Sequence, residues 1–158
     1  MFSFLSSSKT ITAPMTGRLI PIEKVNDSVF SSKMLGNGFG IIQTSPIVVA
    51  PVAGKILQVF DTKHAVCIES NDGIEILIHL GIDTVSLEGN GFTTFVNPGD
   101  LVNPGDKLVE MDIDYIKSQG LDPTCIVVFT DESVFKTCEI QPGEVIAAKT
   151  IAVKYKLN

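Results

Sequence analysis

His64-Ala65-Val66-Cys67-Ile68-Glu69-Ser70-Asn71-Asp72-Gly73-Ile74-Glu75-Ile76-Leu77-Ile78-His79 reads as strand, turn, strand. Two runs rich in Val and Ile flank Asn71-Asp72-Gly73, residue types that readily reverse a chain. The stretch opens and closes on the chain's two histidines. Whether their rings meet depends on the loop between them. With Ser70–Gly73 as a four-residue loop, His64 falls directly opposite His79. With Asp72-Gly73 as a two-residue loop, Val66 faces His79 and the imidazoles become diagonal neighbours on one face. A three-residue loop puts them on opposite faces, because a slip of one residue inverts the pleat.

The same punctuation continues on both sides. Short apolar runs at Gly17–Ile22, Ile47–Val49, Gly54–Val59, Ala65–Glu69, Ile74–His79, Lys107–Met111, Cys125–Phe129 and Lys149–Tyr155 are separated by Gly, Pro, Asn and Asp. One helix is predicted over Ile113–Gln119, capped by Asp112 and ended by Gly120, and a second helical turn near Ser28–Ser32. Ala13-Pro14-x-x-Gly17 is echoed by Ala50-Pro51-x-x-Gly54. Pro98-Gly99-Asp100, Pro104-Gly105-Asp106 and Pro142-Gly143-Glu144 repeat a turn in which Pro-Gly sets a type II reversal and the acid opens a strand. These units predict an all-β chain: an antiparallel β-sandwich or flattened barrel with a duplicated strand motif and one or two short helices. A single domain over residues 11–158 follows a short flexible tail over residues 1–10.

Composition narrows the partners. A net charge of −6 leaves no basic stripe to neutralise phosphates, which excludes a nucleic-acid partner and favours a basic protein one. Cys67, Cys125 and Cys138 form no CxxC, so reduced thiols and a cytoplasmic location are expected, with Cys67 filling core. MFSFLSSSKT has neither the apolar run nor the basic start of a signal peptide. No stretch of 18 consecutive apolar residues occurs, so no direct membrane insertion is expected, although Phe2, Phe4 and Leu5 offer a little apolar surface.

Two imidazoles brought together can hold a metal or run nucleophilic phosphoryl chemistry. Zinc requires at least a third protein ligand, for which Glu75 and Asp83 are the nearest carboxylates, and neither HxH nor HExxH is present. Phosphoryl chemistry requires less. One ring must present a bare Nε2 while a carbonyl holds its Nδ1–H, and the other must offer Nε2–H to the phosphoryl oxygens. Thr62, two residues before His64, is placed to donate to His64 Nδ1 and fix that second tautomer. Mutual repulsion keeps at least one ring neutral near pH 7.

Gly73-Ile-Glu-Ile-Leu-Ile-His79-Leu-Gly81-Ile-Asp83-Thr84-Val85 resembles the phosphorylation-site signature of the glucose-type EIIA proteins of the bacterial sugar phosphotransferase system. The likeness extends through Ala13-Pro14-x-x-Gly17, Asp27-x-Val29-Phe30, Gly36-x-Gly38, Ala50-Pro51-x-x-Gly54, Phe60-x-Thr62-x-His64-Ala65, Ile68-Glu69-Ser70, Leu87-x-Gly89-x-Gly91-Phe92 and Gly105-Asp106, about residues 11 to 156. The resemblance implies that His79 accepts a phosphoryl group through Nε2 from phospho-HPr and passes it to an EIIB domain for sugar uptake. It implies that the Gly81 carbonyl orients His79, that His64 stabilises the phosphate, and that Thr62 orients His64. Asp27 and Asp83 would meet a basic side chain of HPr. Val29, Phe30 and Phe60 would form an exposed apolar collar that docks both partners. No cofactor is required, although some members share zinc between their two histidines and a partner's glutamate, which here would engage His64 and His79. A monomer is expected, since the docking face must stay accessible. Leu77 and Leu80 stand where the family often carries Phe, which leaves that face apolar but less flat.

Two other classes compete. A zinc-dependent hydrolase of the lysostaphin-like kind shares a related β architecture but needs further ligands. A biotinyl or lipoyl carrier, suggested by the Pro-Gly-Asp strand repeats, would need its lysine at a hairpin tip, and Lys63 beside His64 is the candidate.

Overall fold

The computed structural model describes residues 8–158, so Phe2, Phe4 and Leu5 lie outside the described residues. Strand β1, Lys9–Thr12, begins two residues inside the segment assigned to the tail. Then follow β2 (Gly17–Pro21), helix α1 (Ser28–Ser31), β3 (Gly38–Gln43), β4 (Ile47–Val49), β5 (Gly54–Val59), β6 (Ala65–Ser70) and β7 (Glu75–Leu80). The second half holds β8 (Phe92–Thr94), β9 (Leu101–Val102), β10 (Lys107–Met111), helix α2 (Ile113–Ser118), β11 (Cys125–Phe129), β12 (Phe135–Ile140), β13 (Gly143–Val145) and β14 (Ile151–Leu157). Every ladder is antiparallel, as expected of strands joined by short turns.

One eight-stranded sheet, in the order β13-β2-β3-β11-β7-β6-β5-β9, faces two three-stranded sheets, β1-β14-β12 and β4-β10-β8. Leu19, Phe39, Ile41, Ile56, Val66, Ile68, Ile76, Ile78 and Val127 from the large sheet pack against Ile11 and Val153 of one small sheet and Val48, Leu108 and Met111 of the other. This is the β-sandwich that the sequence predicts. The period-2 pattern explains β7, where Ile76, Ile78 and Leu80 are buried and Glu75, Leu77 and His79 point the other way.

The outer face of the large sheet is not bare. The segment after β2 folds back across it, and Ile22, Val25 and Phe30 pack on Ile82, Ile126 and Val128, with Ile20 and Leu77 alongside, as a second apolar cluster. Asp27 starts α1 by accepting Val29 N–H on Oδ1 at 2.9 Å.

The sequence echoes have distinct fates. Gly17 and Gly54 open β2 and β5, and a Cβ at either would strike a carbonyl of the neighbouring strand, Ile42 or Glu69. In the first two Pro-Gly-Asp repeats Asp100 N–H donates to the Asn97 carbonyl at 3.1 Å and Asp106 N–H to the Asn103 carbonyl at 3.0 Å. Gly99 and Gly105 take φ of +92° and +94°, the type II geometry. The third is different, for Gly143 begins β13 and makes no such reversal. Cys67 is half-buried on the outer face rather than in the core, where burial and Glu75 push its thiol up; all three cysteines are free. Among the described residues no helix is long and apolar enough to cross a membrane.

Candidate functional site

His79 stands on β7, the fifth strand of eight, opposite Ile126 of β11 on one side and Ala65 of β6 on the other. The tip of the β6–β7 hairpin fixes that register. Ser70 N–H donates to the Ile74 carbonyl and Gly73 N–H to the Ser70 carbonyl, both at 2.9 Å, leaving Asn71-Asp72-Gly73 as a three-residue loop. Gly73 is left-handed at φ +84°, as that loop requires. Asp72 is tied down by Lys9 Nζ at 3.1 Å and Tyr155 Oη–H at 2.8 Å.

This is the register that an uninterrupted pleat would use to separate the imidazoles, yet their centroids lie 4.9 Å apart. The pleat ends at Ala65, where β6 begins, and His64 precedes it in the turn from β5. Freed from alternation, the His64 ring swings to the His79 side. Its backbone stays attached, with the His64 carbonyl accepting Leu80 N–H at 2.6 Å.

Four rings form a row. Phe60 meets His64 edge-on at 5.5 Å, His64 meets His79 at 4.9 Å, and His79 meets Phe30 at 5.0 Å. Phe60 is half-buried, whereas Phe30 is only 7% exposed. The expectation of Phe30 on an open collar is therefore corrected: the outer-face cluster claims it, and its ring packs beside that of His79. Val29, its neighbour on α1, is 42% exposed and does present apolar surface.

Hydrogen bonds set the ring chemistry. His79 Nδ1 lies 2.8 Å from the Gly81 carbonyl, which can only accept, so Nδ1 carries the proton and Nε2 is left bare. His64 Nδ1 lies 2.6 Å from Thr62 Oγ1. With that hydroxyl donating, His64 is protonated at Nε2, the complement of its neighbour. Gly81 is itself clamped. Its N–H donates to the Thr124 carbonyl at 3.0 Å, and Ile82 N–H donates to the Asp122 carbonyl at 2.8 Å. Buried Thr84 donates Oγ1–H to the Leu80 carbonyl at 2.6 Å. Nothing in the sequence pattern singles out Asp122 or Thr124, and Thr84 stands in the His79 signature with no role of its own, since their work is done on backbone groups.

Burial holds His64 below the usual imidazole range. Burial, and then the positive charge His64 would carry, push His79 down to about 4. The Gly81 carbonyl and the carboxylates of Asp27 and Asp83 pull the other way without overcoming this. His64 exposes only 5% of its surface and His79 more, yet His79 is pushed further, because Phe30 and the sheet surround its ring and His64 adds repulsion. Asp83 is exposed and left-handed at φ +61°, at the rim. The structure thus gathers Thr62, His64, His79, Gly81, Phe30 and Phe60 by contact, with Asp27 and Asp83 within electrostatic reach.

Two imidazoles supply two zinc ligands. Among the described residues no three His, Cys, Asp or Glu side chains converge, so a metal here would need donors from another chain.

Residues 9–135 match the family described as the phosphoenolpyruvate-dependent sugar phosphotransferase system, EIIA 1. The chain belongs to that family. Relatives of this EIIA domain include a PTS system glucose-specific EIIA component of Oceanobacillus iheyensis, 43% identical over 89% of this chain and 86% of that protein. A PTS system glucose-specific EIICBA component of Streptococcus pneumoniae is 38% identical over 98% of this chain and 21% of its own length. The EIIA domain also superimposes on the glucose permease IIA of Mycoplasma capricolum with a TM-score of 0.89, at 38% identity, over 97% of this chain and 99% of that one. It is accordingly a component of a sugar phosphotransferase system.

Proposed function

We propose that this EIIA domain carries a phosphoryl group on His79 Nε2, taking it from phospho-HPr and passing it to an EIIB domain. The observation behind the proposal is the contact of two imidazoles whose Nδ1 atoms have different partners, a carbonyl that can only accept and a hydroxyl that can donate. A neutral His79 at pH 7 keeps its Nε2 lone pair free to attack phosphorus. As the new P–N bond forms, the P–N bond to the donor histidine breaks, and the His79 ring gains positive charge. The Gly81 carbonyl and the carboxylates of Asp27 and Asp83 favour that charge. His64 Nε2–H donates to a phosphoryl oxygen, and its uncharged state avoids opposing the cation developing beside it. Onward transfer reverses the sequence, with an acceptor on EIIB attacking the phosphorus and His79 leaving as neutral imidazole.

Docking falls to Val29, Phe60, Asp27 and Asp83 around the mouth, with Phe30 packed beside the His79 ring. A net charge of −6 suits a basic partner surface. The work is that of a cytoplasmic monomer whose active face turns to each partner in succession. The names of the relatives make a glucose pathway the first to test.

The test is labelling with phosphoenolpyruvate and the general phosphotransferase proteins, followed by acid treatment. Acid-labile label is expected on the wild type and none on His79→Gln; equal labelling of the two would end this reading. His64→Gln is expected to take label but pass it to EIIB about 100-fold more slowly.

A further inference from the structure

Strand β6 is bounded by two hairpins that each place a left-handed residue third in the loop, but the first loop has four residues, between Phe60 and Ala65, and the second has three, between Ser70 and Ile74. At the β6–β7 tip the left-handed residue closing the loop is Gly73. At the β5–β6 tip, Lys63 N–H donates to the Phe60 carbonyl at 2.8 Å, and Phe60 N–H donates to the Ala65 carbonyl at 3.1 Å. Lys63 is the left-handed residue there, at φ +60°. Glycine is the usual occupant of a left-handed position in such a loop. Lysine brings a Cβ into a conformation that L residues disfavour. The longer loop leaves His64 between the left-handed residue and Ala65, outside the β5–β6 ladder.

His64 directly follows Lys63. Continued regularly from Ala65, which faces His79, the His64 side chain would join that of Val66 in the main core. Instead the ring lies 4.9 Å from that of His79, while the His64 carbonyl keeps its bond from Leu80 N–H. We propose that Lys63 is a positioning residue for the histidine pair: its left-handed backbone turns the chain so that His64, the last residue of the loop, points out of the core and onto His79. The importance for catalysis rests on the carrier reading above; the placement of His64 does not.

Lys63 has an exposed side chain, and its stem would come within 3.7 Å of a Cβ at Gly89. Its charge is therefore the rival explanation of any effect at this position. Glycine and asparagine reach the left-handed region without the charge, while β-branched residues resist it. Ring-nitrogen NMR of His64, with onward transfer from phosphorylated His79, separates the two. Lys63→Gly and Lys63→Asn are expected to keep the wild-type His64 tautomer pattern and transfer within about twofold. Lys63→Val should give a mixed tautomer pattern and at least ~10-fold slower transfer, with His79 still labelled. A wild-type pattern in Lys63→Val would overturn the proposal, as would loss of the pattern in the Gly and Asn variants. If Lys63→Val does not fold, Lys63→Thr takes its place under the same two outcomes. Failure of the wild type to take label on His79 would sink the carrier reading while leaving the nitrogen pattern to decide on Lys63.

Discussion

Removing the imidazole of His79 should flatten the acid limb of the protein's stability curve. The ring is buried neutral, with its pKa pushed from 6.5 to about 4. Between those values the unfolded chain binds a proton that the folded one refuses, so stability rises with pH across this window. It is full above the unfolded value and is lost as pH falls from 6.5 towards 4. Moving from pH 7 to pH 4.5 takes in most of that difference, about 2 kcal/mol once screening at the partly open ring is allowed for. Protonation of carboxylates and of His64, itself held down by burial, also erodes stability here, but both remain in His79→Gln. The difference between the two therefore isolates the ring. Urea unfolding at both pH values is the assay. With a denaturant slope of about 2 kcal/mol/M, the wild-type midpoint should fall about 1 M further than that of His79→Gln. Midpoints that fall in parallel, within about 0.3 M, would show that His79 titrates freely in the folded state and that the neutral-nucleophile reasoning is wrong.

Thr62→Val removes the partner of His64 Nδ1 at 2.6 Å; His64 should then sample both tautomers by NMR, and onward transfer should slow by ~10-fold or more. Gly81→Ala forces a Cβ to within 2.5 Å of Thr84 Cγ2 and 3.1 Å of the Asp122 carbonyl at φ +85°. It should cost about 2 kcal/mol or more by urea unfolding and displace the carbonyl that holds His79, reducing the rate of labelling. Phe30→Ala opens the outer-face cluster and should cost about 3 kcal/mol, with the His79 titration moving back up towards 6.5 as water reaches the ring. Loss of stability without that titration shift would mean that Phe30 does not control the ring's solvation.

Most of the scaffold was legible because its strands obey local rules. Ile47–Val49, Gly54–Val59, Lys107–Met111 and Cys125–Phe129 have the bounds their composition suggests, and Asp112 caps α2 through Tyr115 N–H. β3 was not, because Gly38 and Gly40 interrupt its apolar residues. Both glycines answer to a neighbour: a Cβ at 38 would collide with the Val127 carbonyl, and one at 40 would meet Val25 Cγ2 at 2.8 Å. Strand assignment there depends on contacts far away in sequence. The histidine pair was legible as a juxtaposition but not in its mechanics. Counting residues through the loop presumes an unbroken pleat, and a left-handed residue that is lysine rather than glycine leaves no mark in composition. Phe30 went astray for a related reason. Its four-residue helix turns one neighbour outwards and Phe30 inwards, which depends on how the segment lies across the sheet.

The two sides of His79 differ in how they can open. Its strand has four neighbours on one side of the sheet and three on the other, so the amides of Ile78, His79 and Leu80 should exchange with solvent only when the whole domain unfolds. Phe30 rides on a single turn of helix capped by one aspartate, an element able to open by itself at far lower free energy. Breathing of that small flap, rather than any motion of the strand beneath, would set how often a water molecule finds the ring.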